Sequence, residues 1–191
     1  LDDMSYGIRC LLEDDYGQAL RMAEDLNDLN NERKDIEQSM RTEAEHIVNQ
    51  LTLAEQQVPN GLCVYKEDWH QGVIGIVAGR LKEKFYRPTI AFARGEEKQG
   101  KLELKGSARS IPGIHIRDLL DEVNTQFPGL ILKFGGHAMA AGLSIVESKL
   151  EAFEHAFNAV LSRHLSEDVL TQVILTDGEL PDECFSIDFC L

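Results

Sequence analysis

Cysteine is sparse and unpaired. Cys10, Cys63, Cys184 and Cys190 are scattered, no two form a Cys-x-x-Cys pair, and no histidine stands at zinc-finger spacing from any of them. That spacing argues against a structural zinc site. Free thiols in a reducing cytoplasm are expected instead. Long apolar runs are also missing: none approaches the ~20 residues that span a bilayer, and no charged-then-apolar leader opens the chain. The expectation is a cytoplasmic protein with no membrane partner. Basic residues are few, 19 Lys and Arg against 33 Asp and Glu, for a net charge of −14. Taken whole, that balance argues against a polyanionic partner. An initiator Met is absent too. The chain opens Leu1-Asp2-Asp3 and stops at the apolar Phe189-Cys190-Leu191, so a piece of a longer protein is expected.

The charge that is present is unevenly placed. Residues 78–117 hold ten Lys and Arg (Arg80, Lys82, Lys84, Arg87, Arg94, Lys98, Lys101, Lys105, Arg109 and Arg117) against four Asp and Glu, a local +6 in a chain that is otherwise −20. An acidic body with one basic stretch suits a protein that binds phosphate in one place and repels it elsewhere. Solvated lysine tips on a helix and a strand would give the same count.

Periodicity divides the chain. Leu26, Leu29, Ile36, Met40, Ile47 and Leu51 recur at steps of three, four and seven, with no proline between them, and predict one long helix from Tyr16 to Leu51. Its apolar stripe is narrow and its other faces acidic, as in a helix that braces domains. After the turn signal Val58-Pro59-Asn60-Gly61 the elements shorten. Strands are predicted at Leu62–Tyr65, Thr89–Ala93, Leu102–Ser110 and Gly142–Val146, and helices at Val73–Phe85, Ile116–Asn124 and Leu150–Leu165. The fold expected is α/β: a long N-terminal connector helix, then a compact mixed-sheet domain. Val169–Leu175 followed by Asp177-Gly178 reads as a truncated β segment at the C-terminus.

Three segments could carry chemistry. In Lys101-Leu-Glu-Leu-Lys-Gly-Ser-Ala-Arg-Ser110 strand alternation puts Lys105, Ser107 and Arg109 on one face. Arg109 offers a planar fork to phosphate oxygens, Ser107 a hydroxyl and Lys105 a point charge. A solvent-facing polar stripe reads the same way. In Lys133-Phe-Gly-Gly-His-Ala-Met-Ala-Ala-Gly142 the pair Gly135-Gly136 allows a ligand close approach or positive φ. His137 could donate to a phosphate or protonate a leaving oxygen; a tight loop with a satisfied histidine is the alternative. In Trp69-His70-Gln71-Gly72 the histidine and glycine stand ahead of a helix N-terminus, which favours anions. His70 could equally cap the loop.

Taken in order, His70-x-Gly72-Val-Ile-Gly75-Ile-Val-Ala, Arg87-Pro88, Gly106-Ser-Ala-Arg-Ser110 and Gly135-Gly-His-x-x-Ala-Ala-Gly142 resemble the DHH-associated domain of the RecJ exonuclease family, within the DHH phosphoesterase superfamily. Tyr6-Gly-Ile-Arg-Cys-Leu-Leu and Asn30-x-x-Arg33 resemble the join between that family's two catalytic subdomains. The resemblance implies three parts. Residues 1–56 would be the end of the DHH domain and the connector helix, 57–166 the substrate-binding domain, and 167–191 the start of an oligonucleotide-binding domain. It implies a 5′-to-3′ exonuclease on single-stranded DNA that works with two divalent metals, Mn or Mg. No Asp-His-His occurs in this sequence, so the expectation is a piece with no metal ligands or cofactor of its own. Its partners would be single-stranded DNA and the DHH domain of the same parent. On this resemblance Lys105, Ser107, Arg109, Ser110, His70, Gly135 and Gly136 hold phosphate, and His137 is catalytic. Other readings are a phosphodiesterase for short RNA or cyclic dinucleotides, a non-catalytic nucleic-acid-binding module, and an α/β interaction domain.

Overall fold

The structure, a computed structural model, describes residues 4–55, 58–98 and 100–166, and beyond them 169–173, 176, 178, 179, 181, 184 and 187. Five strands form one mixed sheet: β1 (Leu62–Tyr65), β2 (Thr89–Lys98), β3 (Lys101–Arg109), β4 (Ile131–Gly136) and β5 (Ala140–Val146). Their order is β1-β2-β3-β5-β4. β1 runs parallel to β2, a pairing that needs a crossover, supplied by α3 (Ile74–Phe85). The other pairings are antiparallel.

Strand alternation divides the apolar residues between two cores. Leu62, Val64, Ala91 and Ala93 pack with Trp69, Val73, Val77 and Leu81 around α3, and with Met40, Ala44 and Val48 of α2 (Tyr16–Glu55). Cys63, Ile90, Phe92, Leu104 and Ala108 point to the other side. There they meet α4 (Ile116–Gln126) and α5 (Leu150–Leu161), which contribute Leu119, Leu120, Phe153 and Phe157. Phe92 stands edge-on to Phe153, ring centroids 5.8 Å apart. The expected α/β class is found, with the long N-terminal helix and the compact mixed-sheet domain.

α2 is 40 residues long, or ~60 Å at 1.5 Å per residue. Its C-terminal half is fastened by polar contacts as well as by its apolar stripe. Glu43 accepts from Trp69 Nε1 at 2.8 Å and pairs with Lys66 at 2.9 Å. Glu37 meets Arg80 at 3.4 Å and Glu45 meets Lys84 at 2.6 Å. Among the described residues its N-terminal half packs against α1 (Met4–Leu12), a short helix absent from the sequence-based expectation and one that buries none of its residues.

Two further elements depart from expectation. β4 has no counterpart among the expected strands, because Gly135-Gly136 signals a loop; the glycines instead end a strand whose Ile131 and Phe134 pack in the second core. Of the expected strand Val169–Leu175, residues 169–173 are turn and irregular backbone, and 174 and 175 lie outside the described residues. So does much of the expected oligonucleotide-binding segment, 167–191.

Gly106 is a packing requirement. A Cβ there would lie 2.6 Å from Leu143 Cδ2 and 2.7 Å from Phe92 Cε1, both buried. Gly106→Ala should therefore destabilise by about 1–3 kcal/mol, lowering the melting temperature by roughly 2–4 °C per kcal/mol. Thermal unfolding followed by circular dichroism checks this, and an unchanged midpoint would show that the second core has slack.

Candidate functional site

On the side where α3 covers β2 and β3, the sheet continues bare across β5 and β4. Gly142, Gly135 and Lys133 are exposed there. Residues paired across strands share a face, and the register lays three rows over this open surface. Arg109 pairs with Ala140, and His137, whose N–H donates to Ala140 O at 2.8 Å, extends the row. Ser107, Gly142 and Gly135 make the second row; Lys105, Ser144 and Lys133 make the third. Successive rows are two residues apart, so the outer rows stand ~13 Å apart along the strands.

Local contacts set each side chain. Arg109 Nη1 donates to Ser107 Oγ at 3.0 Å and to Ala108 O at 2.9 Å. Among the described residues it pairs with no carboxylate. It lies tucked beside α3 because Gly75 has no side chain: a Cβ there would come 2.9 Å from Arg109 Nη2 and 3.1 Å from Ser107 Oγ. His137 is exposed in the turn between β4 and β5. That turn needs Gly136, which has φ of 150° and whose Cβ would meet Ala140 O at 2.4 Å. Lys105 Nζ donates to Glu103 Oε1 at 2.5 Å and to Ser144 Oγ at 3.3 Å. Glu103 is buried, and the Lys105 bond first, then the Ser144 hydroxyl, hold its carboxyl below the ordinary carboxylate range.

The structure brings Lys105, Ser107, Arg109, Gly135 and His137 onto one surface and separates the other expected residues from it. Ser110 is only 1% exposed, and its hydroxyl donates to Ile114 O at 2.7 Å, bracing the loop after β3. Alternation from Arg109 turns it away from the open face. Gly136 is exposed, but alternation puts it on the opposite side of β4 from Gly135, and it serves the turn. His70 Nδ1 accepts from the Gly72 N–H at 3.0 Å, so the ring caps the entry to α3 and stands outside the three rows.

The basic stretch is mostly neutralised within the molecule. Arg80, Lys84, Arg94, Lys98 and Lys105 pair with Glu37, Glu45, Glu67, Glu96 and Glu103. Arg117 pairs with Asp118, and Arg87 bonds backbone carbonyls. The positive character of the open face comes from Arg109 and from Lys133, which is not among the residues expected from sequence. Alternation from His137 through Gly135 points to Lys133 only once β4 is known to be a strand.

A family model described as the DHHA1 domain matches residues 56–163. The single-stranded-DNA-specific exonuclease RecJ of Haemophilus influenzae is 48% identical over 188 residues, covering 98% of this chain and 32% of that protein. The RecJ of Escherichia coli is 47% identical over 180 residues, 94% of this chain and 30% of that protein. The solved structure of RecJ from Thermus thermophilus in complex with Mg2+ aligns with a TM-score of 0.67 and 28% identity, over 83% of this chain and 23% of that one. The chain thus spans about a third of the length of these curated relatives.

The Glu103 carboxyl, ordinarily titrating at 4.5, is lowered by folding. Its contribution to stability is therefore complete above about pH 4.5 and is lost as the pH falls through the depressed folded value. Glu103→Gln should be less stable than the parent chain at pH 7, by on the order of 1 kcal/mol. Urea unfolding of both at pH 7 and at about pH 3 checks this: the gap should close on acidification, and a gap independent of pH would show that the charge is immaterial.

Proposed function

From the premise that this chain belongs to the DHHA1 domain family, we propose that it is the substrate-holding part of a RecJ-type 5′-to-3′ exonuclease on single-stranded DNA, acting in cytoplasmic DNA repair and recombination. The observation that carries the reading is the row Arg109–Ala140–His137. It sets a guanidinium without a carboxylate partner, among the described residues, two strand spacings (~10 Å) from an exposed imidazole. The guanidinium is planar and keeps donors free for two oxygens of one phosphate, and Ser107 holds it in place. The glycine row beside it lets a nucleic-acid backbone come close to the sheet.

The metal expected of the parent does not fit the side chains present. Among the described residues no three His, Cys, Asp or Glu side chains converge as metal ligands. A divalent-metal centre would belong to the two thirds of the parent outside this chain. What these residues supply is binding and polarisation. Arg109 grips a phosphate, and His137 presents a donor where charge builds on phosphate oxygens in the transition state.

Full-length enzyme tests the assignment. Arg109→Ala should raise KM, because a charged phosphate contact contributes about 1.5–3 kcal/mol. His137→Ala should lower kcat by on the order of 10²-fold or more while leaving DNA affinity measured without metal nearly unchanged. Single-turnover rates and melting temperatures on the same preparations decide the matter. Normal turnover in a destabilised His137→Ala enzyme would reduce His137 to a loop-fixing residue.

A further inference from the structure

Of the third row only Lys105 is expected from sequence to meet phosphate, and the row as a whole has the geometry of a site. Lys105 on β3 and Lys133 on β4 both pair with Ser144 of β5, so two lysines flank a hydroxyl that is only 1% exposed and that bonds Lys105 and Glu103. Between them lies a depression of about 440 Å³, lined by Lys105, Lys133, Ser144, Gly142 and Gly135. That volume is within the usual ~300–1,000 Å³ for bound small molecules. Lys105 is held by Glu103 and Ser144, whereas Lys133 makes no direct ion pair among the described residues and acts on Glu103 only through its charge.

A local irregularity in β4 aims Lys133. Ile131 pairs with Ile145 but Lys133 with Ser144, so Leu132 is the extra residue of a bulge. Without it, Leu132 would stand opposite Ser144 and Lys133 would turn toward the core. The bulge puts Lys133, Gly135 and His137 on one face, Phe134 on the other, and leaves Leu132 55% exposed. The glycines of the middle row are not demanded by the fold. A Cβ on Gly135 would meet nothing within 4 Å, and one on Gly142 only Gly106 O at 3.9 Å. The surface between the Arg109 row and the lysine row is therefore an unobstructed floor of backbone, cationic at both ends.

We propose that the depression between Lys105 and Lys133 is a second phosphate subsite, which holds an internal phosphate of single-stranded DNA lying across the exposed glycines of β5 and β4 from the Arg109–His137 end. The ~13 Å between the outer rows is too far for one phosphate to bridge, so the two rows hold different phosphates of one strand. The inference rests on the open face being a single-strand interface.

Binding of two probes to the chain separates the two ideas: thymidine 5′-monophosphate, and the 5′-phosphorylated tetramer of dT, each titrated at several salt concentrations. Lys133→Gln should weaken the tetramer about five-fold, an ordinary magnitude for one exposed charge contact. It should also make the salt slope shallower by about 0.7, the increment for one single-strand phosphate. The mononucleotide should be unaffected, and Lys133→Arg should restore tetramer binding. Arg109→Ala should weaken both probes. If Lys133→Gln leaves the tetramer unchanged while Arg109→Ala weakens it, the second subsite is wrong and the interface stands. Equal weakening of both probes by Lys133→Gln would make Lys133 a general attractor of anions and also overturn the subsite. If neither substitution alters binding, or the chain binds neither probe, both ideas fail. Lys133 is exposed, so an unchanged melting temperature will confirm that the variants are folded.

Discussion

The pairing of β5 with β3 on one side and β4 on the other is the constraint from which the open face follows. Every row of the site runs through a β5 residue: Ala140, Gly142 or Ser144. A slip of one residue would carry Leu143 and Ile145 to solvent and drive Ser144 inward. The register is held from beneath, where Leu104, Leu143 and Ile145 are buried with Phe92 and Phe153 in the core under α4 and α5. Gly106 belongs to the same lock, because its missing side chain is the space that Leu143 and Phe92 occupy. The polar surface is thus placed by apolar contacts on its reverse side.

Electrostatics act on a different scale. The acidic residues of α2 draw Lys66, Arg80 and Lys84 into contacts that fasten the long helix, and Glu67, Glu96 and Glu103 occupy Arg94, Lys98 and Lys105. A net charge of −14 then surrounds a small cationic floor. Such a molecule exerts little long-range pull on a polyanion, so recognition of one at the floor, as proposed, would depend on contacts made within a few ångströms. That suits discrimination by shape and phosphate position more than rapid capture.

Much of this can be read from the amino acids, and the exceptions have physical causes. The steps of three, four and seven in α2 and the alternation Lys105-Ser107-Arg109 set the helix and the polar face of β3 correctly, because both are periodic and local. β4 is hidden because Gly-Gly is a loop signal whose meaning changes when neighbouring strands supply hydrogen-bond partners. With β4 goes Lys133. Adjacency in sequence groups Ser110 with Arg109, whereas alternation sends neighbouring side chains to opposite faces. The basic stretch misleads for another reason: the carboxylates that neutralise it include Glu37 and Glu45, about forty residues away in sequence, and pairing across that distance leaves no local pattern.

The length of α2 has a mechanical consequence. Ile36 is the first apolar residue of the helix to pack in the core around α3, so the segment from Tyr16 to Ile36, ~30 Å of continuous helix, runs out from that anchorage with α1 beside it among the described residues. A stiff rod held at one end is a lever. A tilt of about 5° at the Trp69–Glu43 fastening, ~40 Å of helix from Tyr16, would displace the far end by roughly 3.5 Å. Whatever is attached there is coupled to the sheet by leverage, and displacements too small to break a hydrogen bond at the fulcrum become displacements of atomic size at the tip.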